Sequence, residues 1–534
     1  MGKLSLYWHT VKYLRPEQII FRITKKLKMN CSLGVKADIG PNCGPATLLP
    51  QLDFDPVFLA RFPAEALLRD EVTLLHETEQ FRWNEPWRFE NRSALWNYNL
   101  HYCEYLLPLV KAWQEKKQNC YLDKFKQIVR GWICQNPKKA GGAGWDAYPI
   151  SLRLIVWLSC YGYLEPDLEE DFKREILSSI AEQYAHLALH LEKHLLGNHY
   201  FENLKTLVIC SLFFRDENMT KAALKELKKQ CAEQILPDGM HFELSPMYHK
   251  IILEDLLRVC AALRQFGRKD AELEGYLQPM ADVAYSLEEG LERIPLFNDC
   301  GNNVAKSLDA LLLTAKEEFG IEPMYKSQLP DSGYYIFKNG DWKLIVDAGQ
   351  PGPSYLPGHA HCDAMSFELF HKGKPVLVNC GTYAYQCEER AFFRSTAAHN
   401  TVMRKGVEQS QCWGNFRMGK RSCTAVLKTT EHGISMTTAD QLFNKLTRSI
   451  AVDETGIQIS DVSDRPDIIS YLHFRDIRND ASAFYIDDIL RCTVFPNTEV
   501  ENRIVTYAED FGKDEVCNMI VIKGNHTLRM EWNS

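Results

Sequence analysis

The chain has 534 residues, 45% hydrophobic and 25% charged, which at roughly 150 residues per domain gives material for two to four domains. This composition excludes a disordered chain and a disulfide-stapled mini-fold. Lys and Arg number 62 against 70 Asp and Glu, a formal charge of −8, so no global positive field exists to hold DNA or RNA and no nucleic-acid partner is expected. At the start, MGKLSLYWHTVKYLRPEQIIFRITKKLK is basic, but Lys12, Arg15 and Arg22 interrupt any apolar run of signal-peptide type. Residues 19–28 read as a basic amphipathic helix docked on the body, with peripheral contact to an anionic lipid surface or a partner as the alternative. No apolar stretch approaches 18 residues, so no transmembrane segment is expected. Seventeen cysteines at irregular spacings, with no CxxC pair, exclude a zinc ribbon and read as free thiols. They predict a reducing, cytoplasmic location, with export by an unrecognised route as the alternative.

Helix follows helix up to about residue 330. LHYCEYLLPLVKAWQEK, YPISLRLIVWLSCYGYL, ENLKTLVICSLFF and YHKIILEDLLRVCAALRQF carry apolar residues at three- and four-residue spacing. They come in consecutive pairs, the pattern of stacked helical hairpins, without a residue-level repeat. Near QLPDSG the period changes to two. GYYIFKNGDWKLIVDAG, SFELFHKGKPVLVNCG and TRSIAVDETGIQISDVSD alternate apolar and polar residues between turn signals, which predicts an antiparallel sandwich. The expected organisation is all-α followed by all-β.

Four polar clusters stand outside this periodicity. In HLLGNHYFENLK, Asn198, His199, Glu202 and Asn203 gather at a helix start, where a cap explains one or two of them. In LPDGMHFELSPMYHK, a turn delivers His241, Glu243, Tyr248 and His249 to the start of an apolar helix, with Ser245-Pro246 as its cap. A tyrosine with histidine neighbours there is a proton-transfer candidate. In PGPSYLPGHAHCDAMSF, His359, His361 and Asp363 alternate and share one side of an extended chain. His399 in RSTAAHNTVM is placed to join His361 at a metal. GxGxxG after a strand, GxxxxGK[ST], GxSxG and HExxH are all absent, which removes Rossmann, P-loop, α/β-hydrolase and zincin chemistry.

Taken in order, GNHYFEN, DGMHFELSPMYH, PLFNDCGNN, GHAHCDAMSFELFHKGKPVLVNCGTYAY and AHNTV resemble the motifs of the heparinase II/III-like polysaccharide lyases. The resemblance implies an α+β multidomain architecture, an N-terminal (α/α) toroid of helical hairpins followed by a C-terminal antiparallel β-sandwich. A helical segment 1–80 would pack on a toroid 81–328, followed by the sandwich 329–534. It also implies β-elimination on a uronic-acid-containing anionic polysaccharide or oligosaccharide. Without an export signal, a role in surface-polysaccharide synthesis or oligosaccharide processing is expected. By the resemblance, Asn198, with His199 beside it, would neutralise the uronate carboxylate. Tyr248 would serve as base, acid or both, and His359 as the second proton carrier. Glu202 and His249 would tune the site, Asn298 and Asp299 would lie on the cleft floor, and Trp96, Tyr98, Asn99, Trp145 and Tyr148 would form a sugar-binding wall. A basic cleft is expected despite the acidic total.

The resemblance further implies one structural Zn2+ and no organic cofactor. His361 and His399 match two ligands, while Asn379 stands where the third, an Asp, is expected. A neutral amide is a poor zinc ligand, so affinity should fall unless Cys362, Cys380 or Asp363 replaces it. Two other functions fit such a fold. One is a glycoside hydrolase using Glu202 with Glu243 or Asp299, and the other is a non-catalytic glycan-binding or assembly protein.

Overall fold

The computed structural model describes residues 3–26, 43–138, 141–302, 304–475, 478–479, 484–486, 489–495 and 499–532. Helices dominate from Ala94–Tyr102 to Leu308–Phe319, and strands follow from Gln328–Leu329 onward. The helical half forms antiparallel hairpins. In Asn119–Gln135 the buried residues Tyr121, Leu122, Phe125, Ile128, Val129 and Trp132 recur every three or four positions, the stripe of a helix with one face inward. Gly197–Phe213 and Pro246–Gln265 are buried along most of their length, as befits inner helices covered on all sides. Gly197–Phe213 packs against Ala147–Leu164, Glu217–Gln234 and Pro246–Gln265. Side-chain caps set several starts: Asp216 accepts from the Met219 N–H, and Ser245 from the Tyr248 N–H with Pro246 in the first helical position.

The segment before residue 80 is not wholly helical, which corrects the expectation. Glu71–Leu74 and Glu77–Gln80 pair as an antiparallel hairpin. Its two turn residues, Leu75 and His76, both take left-handed backbone, at φ 50° and 62°. Such a turn ordinarily announces itself by Asn or Gly, and neither is present.

The C-terminal half is a sandwich of two antiparallel sheets, with eight and nine strands among the described residues. Phe367, Leu369, Ile450, Ile459 and Ile522 belong to the single buried apolar cluster between them. Buried polar pairs join sandwich to toroid. Arg293 donates from both terminal nitrogens to Glu368 at 3.1 Å, and Glu368 also accepts the Leu296 and Asn379 amides. Asp238 accepts the Ser332 N–H and hydroxyl, and the Tyr334 hydroxyl donates to the Leu244 carbonyl at 2.6 Å. No helix among the described residues is long and apolar enough to cross a membrane.

Four buried histidines give this fold a pH dependence. Burial lowers His101, His249 and His473 to about 3 and His241 to about 4. The unfolded chain protonates the same rings near the ordinary value of about 6.5. Below that value the unfolded state therefore binds more protons, and stability falls with pH between about 6.5 and 4. Each ring contributes up to about 1.4 kcal/mol per pH unit. Thermal unfolding at pH 7.5, 6.5 and 5.5 is expected to show a stable plateau and then a clear loss at the lowest pH; an unchanged midpoint at pH 5.5 would contradict it.

Candidate active site

A cavity of about 520 Å³ opens where the toroid meets the sandwich. On its toroid side, Leu196 and Gly197 both take left-handed backbone, at φ 68° and 58°, and turn the chain sharply into helix Gly197–Phe213. A Cβ on Gly197 would collide with Glu243 Oε1, so the residue there must be glycine. Glu243 sits at the helix N-terminus, where free N–H groups and the helix dipole favour a carboxylate. Its Oε1 accepts the Asn198 N–H at 3.1 Å, and its Oε2 accepts Asn198 Nδ2–H at 2.9 Å. The second Nδ2 hydrogen is directed at His359 Nε2, 3.4 Å away. That long contact is one an incoming carboxylate oxygen can take over.

His359 comes from the sandwich side. Its Nδ1 lies 2.9 Å from Asp299 Oδ2, so Nδ1 carries a hydrogen and Nε2 is the nitrogen turned to the cavity. Asp299 is fully buried and also accepts from His361 Nε2 at 2.9 Å, Thr382 at 3.3 Å and both terminal nitrogens of Arg390, of which Nη2 is at 2.7 Å. Burial alone would raise its pKa, but Arg390 and the two histidines hold it well below the usual carboxylate range. The carboxylate therefore stays charged and fixes the tautomer and angle of His359.

Tyr248 faces His359, their ring centroids 4.2 Å apart. Ser245 sets it in place twice over: its Oγ caps the Tyr248 amide and donates to the Asp299 carbonyl at 2.7 Å. The Tyr248 hydroxyl meets that of Tyr385 at 2.7 Å. Burial, then Tyr385 and Asp299, push the Tyr248 phenol well above 10, so it enters any reaction protonated. On the same cavity wall, His199 packs against Tyr148 with ring centroids 4.4 Å apart and meets Glu192 at 3.2 Å. Burial opposes protonation of His199, but Glu192 outweighs it and the imidazole pKa is raised. Asn203 holds Glu192 from behind by accepting its N–H at 2.8 Å.

Helix Pro246–Gln265 lines the cavity with Tyr248, Ile251, Glu254, Asp255 and Arg258. From Tyr248 to Arg258 this face spans about 15 Å at 1.5 Å per residue. At the far end of this face from Tyr248, Arg258 pairs with Asp53 at 2.9 Å, and Asp53 also accepts from Tyr163 and from the Leu49 amide. Between lies a buried triad in which Lys205 bridges Glu202 and, at 2.8 Å, Asp255. With two carboxyls on one ammonium, burial and Glu202 raise Asp255 well above its usual range. The wall is not the basic cleft expected. Arg22, Arg61, Lys205, Arg258, Lys306 and Arg417 stand among the acidic side chains Asp53, Glu104, Glu202, Glu243, Glu254 and Asp255.

Asn198, His199, Glu202, Tyr248 and His359 thus converge on one cavity, with Tyr98, Asn99 and Tyr148 also on its wall. Asp299 lies directly behind His359. Trp96 and Trp145 do not join the wall. Both are buried, and their indole N–H groups donate to the Glu77 and Asn136 carbonyls. His249 is likewise off the cavity, locked between the His241 amide at 3.2 Å and the Met280 carbonyl at 2.9 Å. Asn298 is a backbone pin, left-handed at φ 57°, that donates to the Leu244 carbonyl and accepts the His361 amide. Tyr385 and Arg390 complete the site without having been singled out in the sequence, and Glu243, noted there as a possible hydrolase carboxylate, instead braces Asn198.

The donors at the expected metal position are turned to other partners. His361 Nδ1 and His399 Nε2 are 3.1 Å apart, their outer nitrogens held by Asp299 and by the Ser395 carbonyl. Asn379 turns its oxygen to the Asn400 amide, and its buried Nδ2, a donor, has no partner. Cys362 contacts the Ser410 carbonyl and Cys412, and Asp363 accepts the Asn298 amide. Among the described residues no three His, Cys, Asp or Glu side chains are arranged to hold a metal. Two imidazoles and an amide do not make a three-ligand zinc site.

Removing one partner of the Asp299–Arg390 pair strands the other charge in the interior, which costs about 3–5 kcal/mol. Asp299→Asn and Arg390→Ala are each expected to lose about that much in urea unfolding. The double variant is expected to lose clearly less than their sum, because the charges fall together. Additive losses would show that the pair is not coupled.

Comparison with known proteins agrees with this geometry. The family model described as Heparinase II/III N-terminus matches residues 69–322, and that described as Heparinase II/III-like, C-terminal, matches residues 323–500. A heparin-sulfate lyase of Pedobacter heparinus is 26% identical over 271 residues, 44% of this chain and 40% of that protein. One of Bacteroides thetaiotaomicron is 22% identical over 399 residues, 64% of this chain and 56% of that protein. The alignments thus span about two fifths to just over half of these relatives. The crystal structure of heparinase III superposes with a TM-score of 0.70 at 16% identity, covering 97% of this chain and 89% of that one, which establishes a shared fold. With both halves of the family matched consecutively across residues 69–500, the chain belongs to the heparinase II/III-like family.

Proposed function

We propose that this protein is a polysaccharide lyase, a carbon–oxygen lyase that cleaves a uronic-acid-containing glycan by β-elimination. The observation that carries the reading is His359, whose Nε2, fixed by Asp299, faces the Asn198 amide and the Tyr248 ring across one cavity. In the reaction, Asn198 and the His199 imidazole hold the uronate carboxylate and stabilise the enolate that forms from it. His359 Nε2 takes the proton alpha to the carboxylate. Those electrons become the new carbon–carbon double bond as the bond to the glycosidic oxygen breaks, and the Tyr248 hydroxyl protonates the leaving oxygen. The proton held by His359 then reloads Tyr248, and Asp299 stabilises the imidazolium in the interval.

A hydrolase reading needs a pair of available carboxyl groups. Here Glu243 is committed to Asn198, Glu202 to Lys205, and Asp299 to Arg390. A wall on which acidic side chains stand among the basic ones suits a sparsely charged uronate glycan, of the kind handled in surface-polysaccharide synthesis or oligosaccharide processing, over a densely sulfated one.

The test is ultraviolet absorbance of the full chain with a panel of uronate polymers and oligosaccharides. The expected result is rising absorbance from an unsaturated uronate product. Tyr248→Phe and His359→Ala are each expected to lower kcat by about 10²–10⁴. New reducing ends without absorbance would establish hydrolysis instead, and neither signal would leave glycan binding on a lyase fold. Because Asn379 breaks the donor set, we also expect zinc well below one equivalent by elemental analysis and no loss of rate after dialysis against EDTA. Stoichiometric zinc in the dialysed protein would overturn that expectation.

A further inference from the structure

Two consecutive helices, Lys3–Val11 and Pro16–Lys26, bridge the two domains beside the cavity. Their inner contacts are specific. Thr10 Oγ1 accepts the Trp413 indole N–H at 3.0 Å, and Tyr7 meets the Trp413 ring edge-on at 5.3 Å, both on a hairpin of the sandwich. Gln18, almost fully buried, donates to the Leu195 carbonyl on the toroid rim. Arg15 pairs with Glu233 and lies over the Tyr355 ring at 3.7 Å. Arg22 reaches the cavity wall itself.

Other faces of the pair stand open. Leu4, Trp8 and Val11 recur at helical spacing and are 86%, 66% and 47% exposed. Ile19, Ile20 and Ile23 on the next helix are 41%, 55% and 53% exposed. Single exposed apolar residues are ordinary on a protein surface, but six on two consecutive helices mark an interaction surface. The surroundings are cationic although the chain as a whole is acidic. Lys12 and Arg421 lie over Tyr13, Lys193 lies over Phe21, Lys420 stands near His9, and Arg417 stands near Arg22. Glu17 is the one acid in residues 3–26, against Lys3, Lys12, Arg15, Arg22, Lys25 and Lys26.

We infer that this helix pair is an interfacial anchor, laying Leu4, Trp8, Val11, Ile19, Ile20 and Ile23 into an anionic lipid surface. The flanking lysines and arginines meet the headgroups, and an amphipathic segment with a basic polar side has the chemistry for that interface. Charge complementarity selects lipid over a second copy of the chain, since a two-fold contact would set the cationic rim against itself. Anchoring there holds the cavity close to glycan presented at the membrane, whichever reaction the site performs.

The test is sedimentation of the full chain with vesicles of equal parts phosphatidylglycerol and phosphatidylcholine, against vesicles of phosphatidylcholine alone. Binding to the anionic vesicles, weakened by salt, is expected. A variant combining Leu4→Gln, Trp8→Gln, Ile20→Gln and Ile23→Gln is expected to bind about tenfold or more weakly. Its unfolding midpoint should be unchanged because these side chains leave no core contact behind. Lys12→Glu with Lys420→Glu is expected to weaken binding similarly while leaving the apolar faces intact. Wild-type protein remaining in the supernatant, or quadruple and wild-type proteins binding equally, would overturn the proposal. So would a dimer in analytical ultracentrifugation that the quadruple variant dissolves, because the faces would then belong to a second copy. Sedimentation needs no turnover, so failure of the lyase assay would leave this result independent.

Discussion

One buried carboxylate ties the molecule together. Asp299 lies in the loop between the toroid helices Leu277–Glu288 and Leu308–Phe319, and Arg390, His359, His361 and Thr382 from the sandwich all direct donors at it. Taking a carboxylate out of water is costly, and the penalty is offset only when partners satisfy its lone pairs. Here the partners are also the means of docking. The His359 ring is oriented by the same bond that joins the domains, so the contact that docks the two halves also sets the geometry of the candidate site.

The loops around this carboxylate contain little regular structure, yet they are buried, and buried carbonyls need donors. Arginine supplies them. Arg394 donates to the Pro357 and Ala360 carbonyls on either side of His359. Arg448, paired with Asp461 through two bonds of 2.7 Å, donates its remaining hydrogens to the Met365 and Asn400 carbonyls. A rigid planar fork that meets several oxygens at once is suited to this task in a way that lysine is not. The site loops are thereby held from the sandwich core.

Much of this was legible in the chain. The change of hydrophobic period near residue 330 placed the helix-to-strand switch, which falls between Phe319 and Gln328. Asn198, Tyr248 and His359, 50 and 111 positions apart in sequence, meet as their motifs implied. What stayed hidden follows from geometry. Trp96 and Tyr98 are two apart on helix Ala94–Tyr102 and so point to different sides; an aromatic-rich segment does not say which side is wet. Arg390 sits in EERAFFR, which reads as a solvated charge run, and its partner is 91 residues away. Glu243 belonged to a conspicuous cluster, but its task, bracing a helix start 45 residues earlier, appears only in three dimensions.

The helix along the cavity wall has a consequence of its own. Tyr248 and Arg258 project from one continuous helix, so their separation is set by helical rise and not by a loop. The helix acts as a ruler. The space between them is shaped by the bulk and charge of Ile251, Glu254 and Asp255. Substitutions along this one face can therefore reshape the cavity while Asn198, Tyr248 and His359 stay as they are.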